Sequence, residues 1–176
     1  MQKAKGELKD NYQYVRAEDI CSSGSDAKGT TSVFADGVSA NDIRQGSLGD
    51  CYLLSAMSII AHSRPELIKK IFHPESRIYR FEGMYSIMLY SGKSPEIITI
   101  DDKFFVNPSS KTHAFTQLCT DAITNEREIW PLLVEKAYAK FHGSYSAIEG
   151  GLVHTALEEL TNGSGSSFSL RSKDLE

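Results

Sequence analysis

The sequence predicts an α+β domain, mainly helical, built round one buried helix that starts at Cys51 and carrying a small antiparallel sheet. Three observations predict it. Residues 51–62 (CYLLSAMSIIAH) are almost wholly apolar, a run too short to span a bilayer and long enough for a core helix. Segments 84–90 (MYSIMLY) and 97–101 (IITID) are rich in β-branched and aromatic residues. The turn material between them, Ser91-Gly-Lys-Ser-Pro95, makes them a hairpin. Residues 128–142 (EIWPLLVEKAYAKFH) carry apolar side chains at 130, 133, 134, 137, 138 and 141, the spacing of one helix face.

Taken in order, residues 1–32 read as a polar lead-in without regular structure, its middle a small-residue loop from Cys21 to Thr31. Residues 33–48 (VFADGVSANDIRQGSL) hold turn formers and no helical period. An ordered connection of that length in a compact domain often carries function. Gly49-Asp50 is the entry to the first helix, with Asp50 its N-cap. Ser63-Arg64-Pro65 ends it, and Pro65 opens a second short helix over ELIKKIF. A brief strand over Tyr79-Arg80-Phe81 precedes the hairpin. Residues 106–125 form a polar loop, and Gly143 stops the helix that follows. Gly150-Gly151 introduces a last helix, LVHTALEEL, which ends before Asn162-Gly163. Residues 33–163 thus form one domain, and 164–176 a tail of flexible composition.

Composition narrows the function classes. A formal charge of −4 argues against a nucleic-acid surface. No run of 18 apolar residues occurs, so no membrane span is expected. The polar start MQKAKGELKD lacks a signal-peptide core. Cys21, Cys51 and Cys119 are widely spaced and odd in number, which suits reduced thiols in a cytoplasmic protein better than a disulfide framework or a zinc site.

Cys51 is the candidate reactive group. A thiol at a helix N-terminus meets the positive end of the dipole and unpaired N–H groups, which favour the nucleophilic thiolate. Glycines at 46 and 49 would let backbone amides approach a reacting carbonyl. Gln45 could donate to an oxyanion beside the Cys51 amide. The ordinary alternative is a small core cysteine on a buried helix, and for Gly150-Gly151 a plain helix-entry turn.

The stretch Gln45-Gly-Ser-Leu-Gly-Asp-Cys51-Tyr-Leu-Leu-Ser-Ala56 resembles the active-site segment of calpains and, more distantly, of papain. A second stretch, Glu128-Ile-Trp-Pro-Leu-Leu-Val-Glu-Lys-Ala-Tyr-Ala-Lys140, followed by Gly143-Ser-Tyr145 and Glu149-Gly-Gly151, is similar to the second calpain helix and its glycine strand. The resemblance runs from Val33 to Gly163. It implies the mainly helical, left-hand subdomain of the papain-like fold. Within it Cys51 matches the nucleophile and Gln45 the oxyanion-hole glutamine. Gly151, with Gly150 beside it, matches the site whose backbone pairs with an extended substrate. Tyr52 stands where the family usually has tryptophan, at the primed side of the cleft.

The resemblance also implies a calcium ion, held by the carbonyls of Ala35 and Gly37 and the carboxylates of Asp42 and Glu128, an all-oxygen set suited to a hard cation. Asp36 and Glu126 are close rivals in sequence. Ala40 replaces an arginine that calpains often carry. Solvated surface acids are the ordinary alternative. A Cys–His protease further needs an imidazole, usually oriented by an asparagine. In the family both come from a second, β-rich subdomain. None of His62, His73, His113, His142 and His154 lies in a matching context.

The expectation is therefore the nucleophile half of a calpain-like, calcium-dependent cysteine endopeptidase. It would act on protein or peptide substrates with that second subdomain as partner, and the chain alone would be inactive. The competing expectation is a non-catalytic, calcium-responsive peptide-binding module. An acyl-cysteine transferase is a more distant third.

Overall fold

A computed structural model of the chain describes residues 12–21, 30–107, 109, 113–120 and 126–166. The expectations for 1–11, for most of the Cys21–Thr31 loop and for the end of the tail lie outside these residues. The architecture is α+β, as expected.

The central helix, Cys51–Ser63, is bounded as its sequence suggests. Call it α2, after a short α1 at Ala17–Cys21. Leu53, Ala56, Met57 and Ile60 are at most 3% exposed and form the middle of the core. Truncating a leucine in such a place typically costs about 2–5 kcal/mol. The opposite stripe of α2, Cys51, Ser55, Ile59 and His62, is exposed. The helix is therefore a core element on one side only. Pro65 begins α3, Pro65–Ile71, at once, because its ring suits a first helical turn.

The hairpin of β3 (Met84–Ser91) and β4 (Ser94–Asp101) is longer than the composition suggested. Ser91 pairs with Ser94 across a two-residue turn of Gly92 and Lys93, with Gly92 at φ +60°. Tyr85, Ile87 and Leu89 of β3 point into the core, alternating with more exposed residues. Residues 79–81 are not a strand. The chain turns there, with the Gly83 amide bonded to the Arg80 carbonyl at 2.9 Å and Gly83 at φ +62°.

The segment before Val33, expected to be loop, supplies regular structure in its described part. β1 (Gln13–Arg16) pairs antiparallel with β5 (Lys103–Val106). Arg16 grips the buried Asp102 through Nε at 3.0 Å and Nη2 at 2.9 Å, a two-pronged contact that fixes the strand. Lys136 closes the same corner, donating to the Tyr14 hydroxyl, the Lys103 carbonyl and the Asp101 carboxylate.

The expected loop over 106–125 is not all loop in its described part, because Val106 ends β5 and Cys119–Thr120 is a strand of a three-stranded sheet. Its strands are β2 (Thr31–Ser32), β7 (Arg127–Glu128) and β6 (Cys119–Thr120), with β7 in the middle, parallel to β2 and antiparallel to β6. Glu128 is thus the end of a strand rather than the start of a helix. α4 begins two residues later, at Trp130–Phe141, where Pro131 sits in the first turn. Residues 131–139 are buried on every side, Glu135 and Lys136 included. α5, Val153–Thr161, places Ala156 and Leu160 in the core. It ends at Asn162 in the left-handed region, φ 61°. No helix among the described residues is long and apolar enough to cross a membrane.

Candidate active site

Cys51 is the first residue of α2 and is exposed. Asp50 precedes it, and the Asp50 carbonyl accepts from the Leu53 and Leu54 amides at 2.9 and 3.2 Å, starting the helix. The Asp50 side chain does not cap it. At a helix start the leading amides, here those of Cys51 and Tyr52, have no partner within the helix.

The glycine pair comes to this point from the other end of the domain. The Gly150 amide donates to the Gly49 carbonyl at 2.9 Å, and Gly150 holds φ +74°. Gly151 lies directly against the ring of Tyr52, which is turned inward and only 8% exposed. Tyr52 therefore supports the glycine loop from beneath instead of walling an open cleft, with its ring 6.4 Å from that of Tyr138. Cys51, Tyr52, Gly150 and Gly151 are brought together across about a hundred residues of sequence.

Gln45 lies in the loop leading to α2 and is exposed, with Nε2 donating to the Leu48 carbonyl at 3.2 Å. The two glycines beside it have different reasons. A Cβ at Gly49 would meet open space. One at Gly46 would fall 1.5 Å from the Phe115 carbonyl oxygen. Gly46 serves backbone packing, not approach to a ligand.

That packing involves residues the sequence reading passed over. Segment 113–117 runs beside 44–47: the Gln117 amide bonds the Arg44 carbonyl at 2.8 Å, and the Ser47 amide bonds the Ala114 carbonyl at 3.3 Å. Thr116 is held in turn by Glu135 of α4, whose Oε1 accepts from the Thr116 amide at 3.0 Å and hydroxyl at 2.7 Å. No signal in the sequence separates Glu135 from an ordinary helix-surface acid.

The four candidate cation ligands share one neighbourhood. The Ala35 amide donates to Glu128 Oε1 at 2.7 Å. Asp42 Oδ2 accepts from the Ser39 amide at 2.7 Å and from Trp130 Nε1 at 3.0 Å. Burial, and then the negative Asp42 beside it, push the Glu128 carboxyl up to about 8, against the pull of the Ala35 amide. Gly37, at φ +136°, turns the loop between them. Of the rivals, Asp36 is exposed but still felt by Glu128, while Glu126 accepts from Thr30. Among the described residues no group of three or more His, Cys, Asp or Glu side chains could hold a metal. Two buried acids without a positive partner suit a hard cation completed by backbone oxygens and water.

Among the described residues no histidine is hydrogen-bonded to Cys51. His62 is exposed at the far end of α2, and His142 pairs with Glu159 at 3.2 Å. His113 is buried with neither ring nitrogen bonded.

The whole chain, residues 1–176, matches the family model described as "Calpain family cysteine protease". That span includes the lead-in which the sequence resemblance left outside. The calpain-type cysteine protease DEK1 of Zea mays is 35% identical over 140 residues, covering 80% of this chain and 6% of that protein. Calpain-B of Drosophila melanogaster is 30% identical over 153 residues, 86% of this chain and 15% of the relative. Calpain-10 of Rattus norvegicus is 29% identical over 168 residues, 94% and 23%. The chain spans less than a quarter of the length of each of these relatives.

Proposed function

The chain belongs to the calpain family of cysteine proteases, and from that premise we propose that it carries the nucleophile half of a calcium-dependent endopeptidase, with Cys51 as the attacking group. The observation that supports this most is the meeting of an exposed Cys51 at the start of α2 with the Gly150–Gly151 backbone, tied to Gly49.

In this reading a substrate lies extended along Gly150 and Gly151, its backbone paired with theirs. The Cys51 sulfur attacks the scissile carbonyl carbon. The oxyanion is met by the Cys51 amide and by Gln45, which must first leave the Leu48 carbonyl. As the tetrahedral intermediate collapses, the C–N bond breaks and the amine departs with a proton from an imidazolium. Water then hydrolyses the thioester, returning the thiol. The imidazole and the asparagine that orients it would come from a β-rich partner subdomain, docking over the stripe of Ser55 and Ile59 that continues from Cys51. The setting is an intracellular one with reduced thiols.

Asp42 and Glu128, with the carbonyls of Ala35 and Gly37, would hold the calcium ion. Bound there, calcium would neutralise the acid pair and stiffen the loop that runs on to Gln45. Glu128 must lose its proton to become a ligand, so binding should weaken as pH falls below about 8.

The test is reaction of the folded protein with iodoacetamide. Cys51 should be alkylated faster than in the urea-unfolded chain, with the site identified by peptide mass and the signal lost in Cys51→Ala. Equal rates would favour the non-catalytic peptide-binding module. Robust peptide cleavage by the 176-residue chain alone, abolished by Cys51→Ala, would refute the half-enzyme part of the proposal.

A further inference from the structure

Directly beneath Cys51 two acids meet in the interior. Asp50 and Glu135 are 1% and 2% exposed. Neither carboxylate oxygen of Asp50 accepts a hydrogen bond from an N–H or O–H group. The acid that each of them feels is the other. Two ionised carboxylates in contact away from water repel each other and lose their hydration, so such a pair retains a proton.

Among the described residues no cation acts on the pair. His113 lines the same small cavity as Thr116 and Glu135, about 10 Å³, and burial pushes its imidazole down to about 4, leaving it neutral. Tyr145 faces both acids, and burial raises its hydroxyl far above the usual range. Tyr52 faces Asp50, and its hydroxyl is likewise raised by burial.

We propose that Asp50 and Glu135 share a single proton, and that this proton positions the Cys51 end of α2 against the segment that supports the Gln45 loop. Glu135 is its home. Glu135 Oε1 accepts from the Thr116 amide at 3.0 Å and hydroxyl at 2.7 Å, while Oε2 takes only the longer branch of the amide contact, 3.2 Å, so Oε2 is the oxygen better placed to carry the proton toward Asp50. Burial, and then the charge of Asp50, raise the Glu135 carboxyl well above the ordinary range. One hydrogen bond thereby joins α4, the Thr116 segment and the residue that begins α2. It also holds the charge under the thiol at minus one rather than minus two. Both acids are positioning residues, and their effect on reactivity rests on Cys51 being the nucleophile.

The experiment compares the 176-residue chain with its Glu135→Gln and Glu135→Ala variants. Glutamine keeps a donor toward Asp50 and an acceptor for Thr116 but cannot titrate. The first measurement is the urea-unfolding equilibrium from pH 5 to 8. A carboxyl raised by folding stabilises fully below its unfolded value and loses that contribution as pH rises toward its folded value. The unfolding constant of the wild type should therefore climb up to tenfold more per pH unit than that of Glu135→Gln. Glu128 titrates in both proteins and cancels. Parallel curves would overturn the shared proton.

The second measurement is Cys51 alkylation by iodoacetamide at pH 7, read by peptide mass. Glu135→Gln should stay within about threefold of wild type, and Glu135→Ala should fall tenfold or more. A folded Glu135→Ala that reacts at the wild-type rate would overturn the positioning role. If wild-type Cys51 reacts no faster than in the unfolded chain while the pH slopes still differ, the nucleophile reading fails and the shared proton stands.

Discussion

Gly151 lies so close over the ring of Tyr52 that a methyl on its α-carbon would sit 2.5 Å from the tyrosine Cζ and 2.6–2.7 Å from both Cε atoms. The tyrosine ring cannot move away easily, because it is itself buried against Tyr138. Gly151→Ala should therefore destabilise the fold by about 1–3 kcal/mol, the usual cost of overpacking. In a Tyr52→Ala background the added methyl should cost little. Urea unfolding of the four proteins in a double-mutant cycle gives the coupling directly. Simple additivity would show that the contact does not constrain the loop.

Gly46 and Gly49 make a sharper contrast than their shared identity suggests. At Gly46 the obstacle to a side chain is the Phe115 backbone, which no rotamer change removes. At Gly49 nothing stands within 4 Å. Gly46→Ala should lower stability by more than about 2 kcal/mol or abolish folding. Gly49→Ala should unfold within about 1 kcal/mol of the parent. Similar losses for both would mean that the 44–47 and 113–117 segments are not held together as tightly as their hydrogen bonds imply.

The elements legible in the sequence are those defined by local pattern. α2 shows as an apolar run between Gly-Asp and Arg-Pro, and β3 as a segment rich in β-branched and aromatic residues, of which the structure buries Tyr85, Ile87 and Leu89. What stays hidden depends on partners distant in the chain. β1 exists because Gln13–Arg16 finds Lys103–Val106 and because Arg16 finds Asp102, and neither partner can be inferred from residues 1–32. Glu128 reads as the first residue of a helix until Thr31–Ser32 arrives beside it and makes it a strand. The same holds at the site. Cys51 and the glycine pair have local signatures, but Glu135 looks like any acid in a helix and gains meaning only through Asp50 and Thr116.

Glu128 gives the cation reading a pH signature. Its carboxyl is raised by folding to about 8, so in a chelator the stability it contributes is fully present below its ordinary value near 4.5 and is lost as pH rises through about 8. A bound divalent cation would stabilise the ionised form and remove that loss. Added calcium should therefore raise the unfolding midpoint more at pH 8 than at pH 6, with proton release on binding. Glu128→Gln should abolish the response to calcium and lessen the pH dependence in chelator, leaving the part that Glu135 contributes. A calcium response that persists in Glu128→Gln would place the ion elsewhere.

His113 supplies the opposite limb. Both its ring nitrogens are buried without a partner, and burial depresses the imidazole from 6.5 to about 4. A histidine that folds into a neutral form stabilises above its unfolded value, and that stability is lost as pH falls toward the folded one. Between pH 6.5 and 4 the loss should reach about 3 kcal/mol. His113→Leu removes both the titration and two unsatisfied nitrogens while leaving the backbone bridge to Val106 in place. It should be at least as stable as the parent at pH 7, since replacing an unpaired polar group by an apolar one of similar size costs little. Its unfolding free energy should fall by about 3 kcal/mol less across the acid window. Urea midpoints at pH 4, 5, 6 and 7 measure both effects. Equal acid sensitivity in the two proteins would mean that the imidazole is solvated or paired, and the interior around Glu135 would then be wetter than its burial indicates.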